Sequence, residues 1–208
     1  MSKDILYLGS QSFSRQLLLK NAKINYTILK HDSDECVPHA NPEEFENYVS
    51  EIAKEKMRHL IIPDNLSTHK EIFVLTADTL IKSCKTNQIL SKPKDINDAK
   101  RMLQIEREEE IEIVTACCLD KKEFNENIWN TKKRIIFHSS TTAEYFVPKK
   151  WEDFYLTTEP LALKGCGAAI VEGVGQCFLK SIRGSYSSAV GLPMFELLEN
   201  LEKMGFGF

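Results

Sequence analysis

The chain has 208 residues, of which 42% are hydrophobic and 27% charged, with a formal net charge of −3. That is enough for one large domain or two small lobes around a shared sheet, and it excludes the basic balance of a nucleic-acid binder. No stretch approaches the roughly 20 apolar residues of a membrane span, and Met1-Ser2-Lys3-Asp4 leads straight into a strand-like segment instead of a secretion signal. A soluble cytoplasmic protein, bound to neither nucleic acid nor membrane, is therefore expected.

In chain order, Ile5–Leu8 reads as a strand that stops at Gly9. Ser10 and Ser12 precede a helix through Arg15–Leu19 that ends near Asn21, and Tyr26–Lys30 reads as a second strand. Asn41-Pro42-Glu43-Glu44 is a helix start, with Asn41 as N-cap, Pro42 in the first helical position and Glu44 completing a capping box. That helix is expected to run to His59 or Leu60. After a polar loop at 63–70, Ile72–Ala77 forms a continuous apolar run, the mark of a strand covered on both faces. Asp78 closes that run, and Leu80-Ile81 can continue it. Asp95 caps a helix carrying Ala99, Met102 and Leu103, and Ile111–Cys117 alternates as a strand. The polar stretch 121–130 reads as a hairpin loop, followed by strands at Ile135–His138 and Thr142–Val147, a short helix at Trp151–Leu156, a glycine-rich segment at 165–175 and a terminal helix from Gly191-Leu192-Pro193 to about Met204. The six cysteines form no CxxC pair and read as reduced, mostly buried thiols; the adjacent Cys117 and Cys118 belong on opposite faces of their strand. The five histidines form no metal motif.

Three places carry chemistry. Asp78 stands where an open α/β sheet collects ligands, at the carboxyl end of a strand, although a turn aspartate closing a strand looks the same in sequence. Lys56 lies about 20° from Phe45 on the inward stripe of its helix, whereas Lys54 lies about 180° away. A cation on an apolar stripe either reaches a partner or a cleft, or snorkels at the helix end. Gly9-Ser10-Gln11-Ser12-Phe13-Ser14-Arg15 joins a strand to a helix N-terminus, where free N–H groups and the helix dipole favour an anion; Ser12 equally suits a plain N-cap. No Walker, dinucleotide or GxSxG motif is present.

The order of these segments resembles the Maf family of nucleoside triphosphate pyrophosphatases, from about Ile5 to Met204. The family's Ser-x-Ser-Pro-Arg-Arg turn is matched by Ser10–Arg15, its Asp-Glu pair by Asp34-Glu35, and its helical lysine by Lys56 in Ile52–Met57. Gly-Ala-Asp-Thr is matched by Thr76–Thr79, and Gly-Lys-Pro by Ser91-Lys92-Pro93. Glu159-Pro160, Glu172-Gly173 and Gly191–Met194 match its tail. Ser14 stands where the family has the first arginine of its pair, Thr76 and Ser91 replace glycines, and Gln104–Arg107 replaces a Leu-Ser-Gly.

The resemblance implies one Maf-like domain over residues 1–208. The fold would be α/β, a long twisted mixed sheet flanked by helices, in two lobes with a central cleft, related to the inosine triphosphate pyrophosphatases. It implies hydrolysis of a nucleoside triphosphate to the monophosphate and pyrophosphate, with Mg²⁺ or Mn²⁺ as cofactor, and it leaves a homodimer open. Asp78, Lys56 and Glu35 would be catalytic, with Glu35 and Asp78 as metal ligands and Asp78 as base, ligand or both. Ser10, Ser12, Arg15, Lys92 and Glu172 would bind substrate. Glu172 leans the base slightly toward a modified purine such as 7-methyl-GTP over dTTP or UTP. The alternative is a catalytically weak nucleotide-binding regulator of cell division, favoured by Ser14.

Overall fold

The structure, a computed structural model, describes residues 4–32 and 44–208. The capping residues Asn41 and Pro42 and the pair Asp34-Glu35 lie outside them.

A seven-stranded mixed sheet runs in the order β2(Tyr26–Ile28)-β1(Leu6–Leu8)-β5(Glu71–Ser83)-β7(Ile111–Asn125)-β8(Ile128–Tyr145)-β9(Leu179–Arg183), with β6(Ile89–Leu90) also on β5. A separate two-stranded sheet pairs β3(Lys30–His31) with β4(Leu60–Ile61). β2, β1 and β5 are parallel; β5, β7, β8 and β9 are antiparallel.

Side-chain alternation on the strands sends two apolar sets to opposite faces. One face of β5, with Phe73, Leu75 and Ala77, packs with Leu19 of α1(Phe13–Asn21) and with Leu197 and Leu201 of α6(Met194–Lys203). The other face, with Ile72, Val74 and Leu80, packs under Phe45, Val49, Ile52 and Met57 of α2(Phe45–Arg58). As the sequence requires, Cys117 belongs to the first cluster and Cys118 to the second. A third cluster fills the other lobe, joining Ile81 of β5 to Met102 and Leu103 of α3(Ile96–Glu108) and Tyr155 and Leu156 of α4(Glu152–Thr158). A short helix, α5(Tyr186–Val190), precedes α6.

Several expectations change. β5 runs on through Leu80-Ile81 to Ser83, as expected, but Asp78 is paired in the interior instead of closing a turn. The expected loop at 121–130 is mostly strand: only Glu126 and Asn127 turn, both with positive φ (52° and 63°), the twist a two-residue hairpin favours. Its lysines are neutralised, Lys121 by Glu71 on the neighbouring β5 and Lys122 by Asp120 on its own strand. The two strands expected after it are one, since Ser139 and Ser140 keep the β7 ladder intact. Lys30 begins a separate strand, and β9 and α5 had no expectation. Asp95 caps α3 as expected, accepting from the Asp98 N–H at 2.9 Å, whereas the side chain of Glu44 makes no cap to α2. Of the described cysteines, Cys117 and Cys118 are buried, Cys166 half-buried, and Cys84 and Cys177 exposed. Among the described residues, no helix is long and apolar enough to cross a membrane.

Candidate active site

One edge of β5 is shared between two strands. β1 pairs with Phe73–Leu75 and β6 with Ile81–Lys82, so among the described residues the intervening stretch has no strand beside it on that edge. Backbone polar groups in such an interval need other partners. Gly9 N–H donates to Leu75 O at 2.8 Å, the Arg15 guanidinium to Ala77 O at 2.8 Å, and the Cys166 thiol to Thr79 O at 2.8 Å. The Gly9–Arg15 turn and the segment around Cys166, far apart in sequence, therefore converge on the stretch that contains Asp78.

Asp78 points to the α2 face, where Lys56 Nζ meets its Oδ1 at 2.6 Å; both residues are buried. The inward placement of Lys56 is as the helical periodicity requires, and Lys54 pairs instead with Glu51 on the outer side. Gly9 permits the close crossing of β1's end over this lobe: a Cβ there would lie 2.6 Å from Leu60 and 2.7 Å from Thr76. Thr76, where the resemblance has glycine, spends its hydroxyl on Ala53 O at 2.7 Å, fastening β5 to α2.

Arg15 is also buried. It donates to Gly191 O (2.9 Å), Ser10 Oγ (3.0 Å), Ala77 O (2.8 Å) and Thr79 Oγ1 (3.1 Å). Four of its five N–H groups are thus committed to protein. Thr79 Oγ1 lies 2.8 Å from Thr115 Oγ1, and Thr115 donates to Ser188 O at 2.7 Å, so α5 is tied to the same place. Ser12 caps α1, accepting from the Arg15 N–H at 3.4 Å, and the Ser12 N–H donates to Ser10 Oγ at 3.2 Å. Lys92 is exposed on the loop after β6, which the Gly167 N–H grips through Ser91 O at 3.0 Å.

Ser10, Ser12, Arg15, Lys56, Asp78 and Lys92 are thereby gathered; Glu35 lies outside the described residues. Sequence reasoning missed Cys166. Burial pushes its thiol up to about 12, with the Asp78 carboxylate adding to the rise and Lys92, Arg15 and Lys56 opposing it, which places the sulfur among those charges. Glycines flank it and no periodicity marks it, so nothing in the sequence pointed there. Glu172 meets α1 one residue from Arg15: Ser14 Oγ donates to its Oε1. Burial raises the Glu172 carboxyl above the usual range, the Ser14 bond opposes the rise, and Glu159 adds to it. Next to Glu172, an apolar cavity of about 550 Å³ is lined by Trp151, Phe154, Gly173, Val174, Cys177 and Phe178, away from the Lys56–Asp78 pair.

A hard carboxylate, ammonium groups, hydroxyls and a helix N-terminus around one interval suit a polyanionic substrate and a reaction that must move a proton. Comparison with known proteins bears on which one. A family model described as Maf-like protein matches residues 5–204. A dTTP/UTP pyrophosphatase of Pseudoalteromonas atlantica is 32% identical over 201 residues, covering 96% of this chain and 97% of its own. A dTTP/UTP pyrophosphatase of Bacillus cytotoxicus is 30% identical, covering 100% and 98%, and one of Acholeplasma laidlawii is 29% identical, covering 95% of each. A solved HAM1 protein from Coxiella burnetii is 13% identical with a TM-score of 0.34 over 68% of this chain and 73% of its own, too distant to argue from.

Proposed function

Because the chain belongs to the Maf-like protein family, we propose that it hydrolyses dTTP or UTP to the monophosphate and pyrophosphate. The observation that carries this reading is the buried Lys56–Asp78 pair on the stretch of β5 between its β1 and β6 pairings. Hydrolysis at the α-phosphorus needs a group to take the proton of the attacking water, and Asp78 fills that role. Lys56 balances the charge of Asp78 and stabilises negative charge on the phosphate oxygens. The α1 N-terminus with Ser10 and Ser12 receives phosphate oxygens, and Lys92 adds a cation from the loop after β6. Arg15 acts mainly by holding Ser10, Thr79 and Gly191 in register, with one N–H left for substrate.

Among the described residues no group of three ligating side chains exists. Asp78 nevertheless offers a hard oxygen, and Mg²⁺ is commonly held by one or two carboxylates together with substrate phosphates. Asp78 suits that mode, and with Glu35, as the resemblance implies, it would hold Mg²⁺ or Mn²⁺. When bound, the cation neutralises phosphate charge.

The relatives' names favour a pyrimidine over the modified purine, and we keep Glu172 as the proposed reader of the base. A regulator that only binds nucleotide has no use for a carboxylate placed to activate water, and the pyrophosphatase relatives support the enzyme. Incubation with dTTP, UTP and 7-methyl-GTP in the presence of Mn²⁺ tests the reading. Pyrophosphate is the expected first product, fastest from the pyrimidines. Orthophosphate as first product, or no release at all, would overturn it.

A further inference from the structure

Ser14 occupies the position where the resemblance has an arginine, and its hydroxyl donates across the fold to Oε1 of Glu172. Both residues are half-buried. The backbone on either side of Glu172 is braced. Tyr186 donates its hydroxyl to Val171 O at 3.3 Å, and Glu159 accepts the Val174 N–H at 3.1 Å and the Leu161 N–H at 3.3 Å. Gly173, with φ +56°, leaves room for Glu159: a Cβ there would lie 2.5 Å from its Oε2. The Glu172 carboxylate is therefore held at its base by its neighbours and at its tip by Ser14, while Oε2 has no hydrogen bond to the described residues.

Resting on the reading that Glu172 faces the base, we propose that Ser14 sets base selection by occupying one carboxylate oxygen of Glu172 and leaving the other for a single donor. The Watson–Crick edge of uracil or thymine presents one donor, N3–H, between two carbonyls. Guanine presents two adjacent donors, N1–H and the 2-amino group, and these match a carboxylate with both oxygens open. A hydroxyl seated on Oε1 stands where the second guanine donor would come. The same serine that departs from the family pattern thereby gives a glutamate the recognition properties suited to a pyrimidine.

Ser14→Ala and Ser14→Thr test this on the full chain. The readouts are kcat/KM for dTTP and 7-methyl-GTP, and equilibrium binding of dTMP and 7-methyl-GMP, which needs no turnover. Ser14→Ala is expected to raise the 7-methylguanine-to-thymine ratio about tenfold in both, the weight of one charge-assisted hydrogen bond. Ser14→Thr, which keeps the hydroxyl, should restore the wild-type ratio. The acid limb of the dTTP pH profile should also move to higher pH in Ser14→Ala, because the bond that opposes the rise of Glu172 is gone; a merely structural role leaves that limb in place. A ratio within twofold of wild type, or moved equally by alanine and threonine, overturns the proposal. If no triphosphate is hydrolysed but the binding ratio moves, the selection stands and the proposed reaction falls. If neither monophosphate binds, both fall.

Discussion

At the scale of the residue, the Lys56–Asp78 pair does what neither partner does alone. Helical periodicity already placed Lys56 inward, and an apolar run already led to Asp78. Their meeting was not legible, because it depends on how α2 crosses β5. It also changes the expected outcome of a substitution. On sequence grounds Lys56→Met is neutral for folding, an apolar residue on an apolar face. In the fold it strands a carboxylate that is only 8% exposed. Removing one partner of a buried pair costs about 3–5 kcal/mol, so Lys56→Met should unfold at lower denaturant than wild type. Asp78→Asn added to Lys56→Met should recover much of that loss. Asp78→Asn alone should lower pyrophosphate release by roughly 10²–10⁴-fold with its circular dichroism unchanged. Stability losses that simply add in the double variant would show that the two side chains do not interact.

At the scale of the element, the site exists because β5 is longer than either neighbour on one edge. The resemblance could align Thr76–Thr79, but it could not show that the carbonyls of Ala77 and Thr79 would need side-chain donors. The requirement makes Arg15 a structural keystone as well as a candidate ligand. Arg15→Leu fills similar space yet leaves Ala77 O and Gly191 O without their donor. At about 1–3 kcal/mol for each buried unsatisfied group, thermal unfolding should shift down by more than 5 °C, on the order expected for a chain of this size. An unchanged melting temperature would mean that water replaces the guanidinium at no cost. The strand-rich segment 121–130 escaped sequence reading for a related reason. Lys121 is satisfied by Glu71 on the neighbouring strand, a partner no local pattern reveals.

At the scale of the whole molecule, the third cluster contains an acid with no counterpart in the chemistry. Glu106 is 2% exposed, and neither oxygen has a hydrogen-bond partner among the described residues. It faces Gly167 on one side and influences Tyr145 and Tyr155 on the other. Burial raises its carboxyl well above the usual value of 4.5, and Arg107 offsets only part of that. Its folded-state pKa thus exceeds its unfolded value. The stability it permits is complete below the unfolded pKa and is lost as pH rises toward the folded one. Glu106→Met, close in shape and uncharged, should therefore melt above wild type at about pH 8, by roughly 2–4 °C for each kcal/mol regained. The gain should shrink as pH falls toward about 4.5. A gain of equal size at both ends of that range would mean that Glu106 does not titrate with folding.

β8 pairs with β9 only at Thr142–Tyr145, so from Ile128 to Thr141 its outer side meets no strand among the described residues. An uncovered strand of that length is a template on which another molecule can crystallise its own backbone, the first step toward aggregates. Three consecutive cations stand exposed along it: Lys132, paired with Glu71, Arg134, paired with Asp120, and between them Lys133, which donates to Lys203 O. Two copies approaching edge to edge would bring the Lys133 charges together and force the paired Lys132 and Arg134 out of water, and both effects guard the colloidal state. Lys132→Val with Lys133→Val should leave the folded protein intact at low concentration yet make light scattering rise earlier on heating, most of all in low salt, where the lost repulsion reaches furthest.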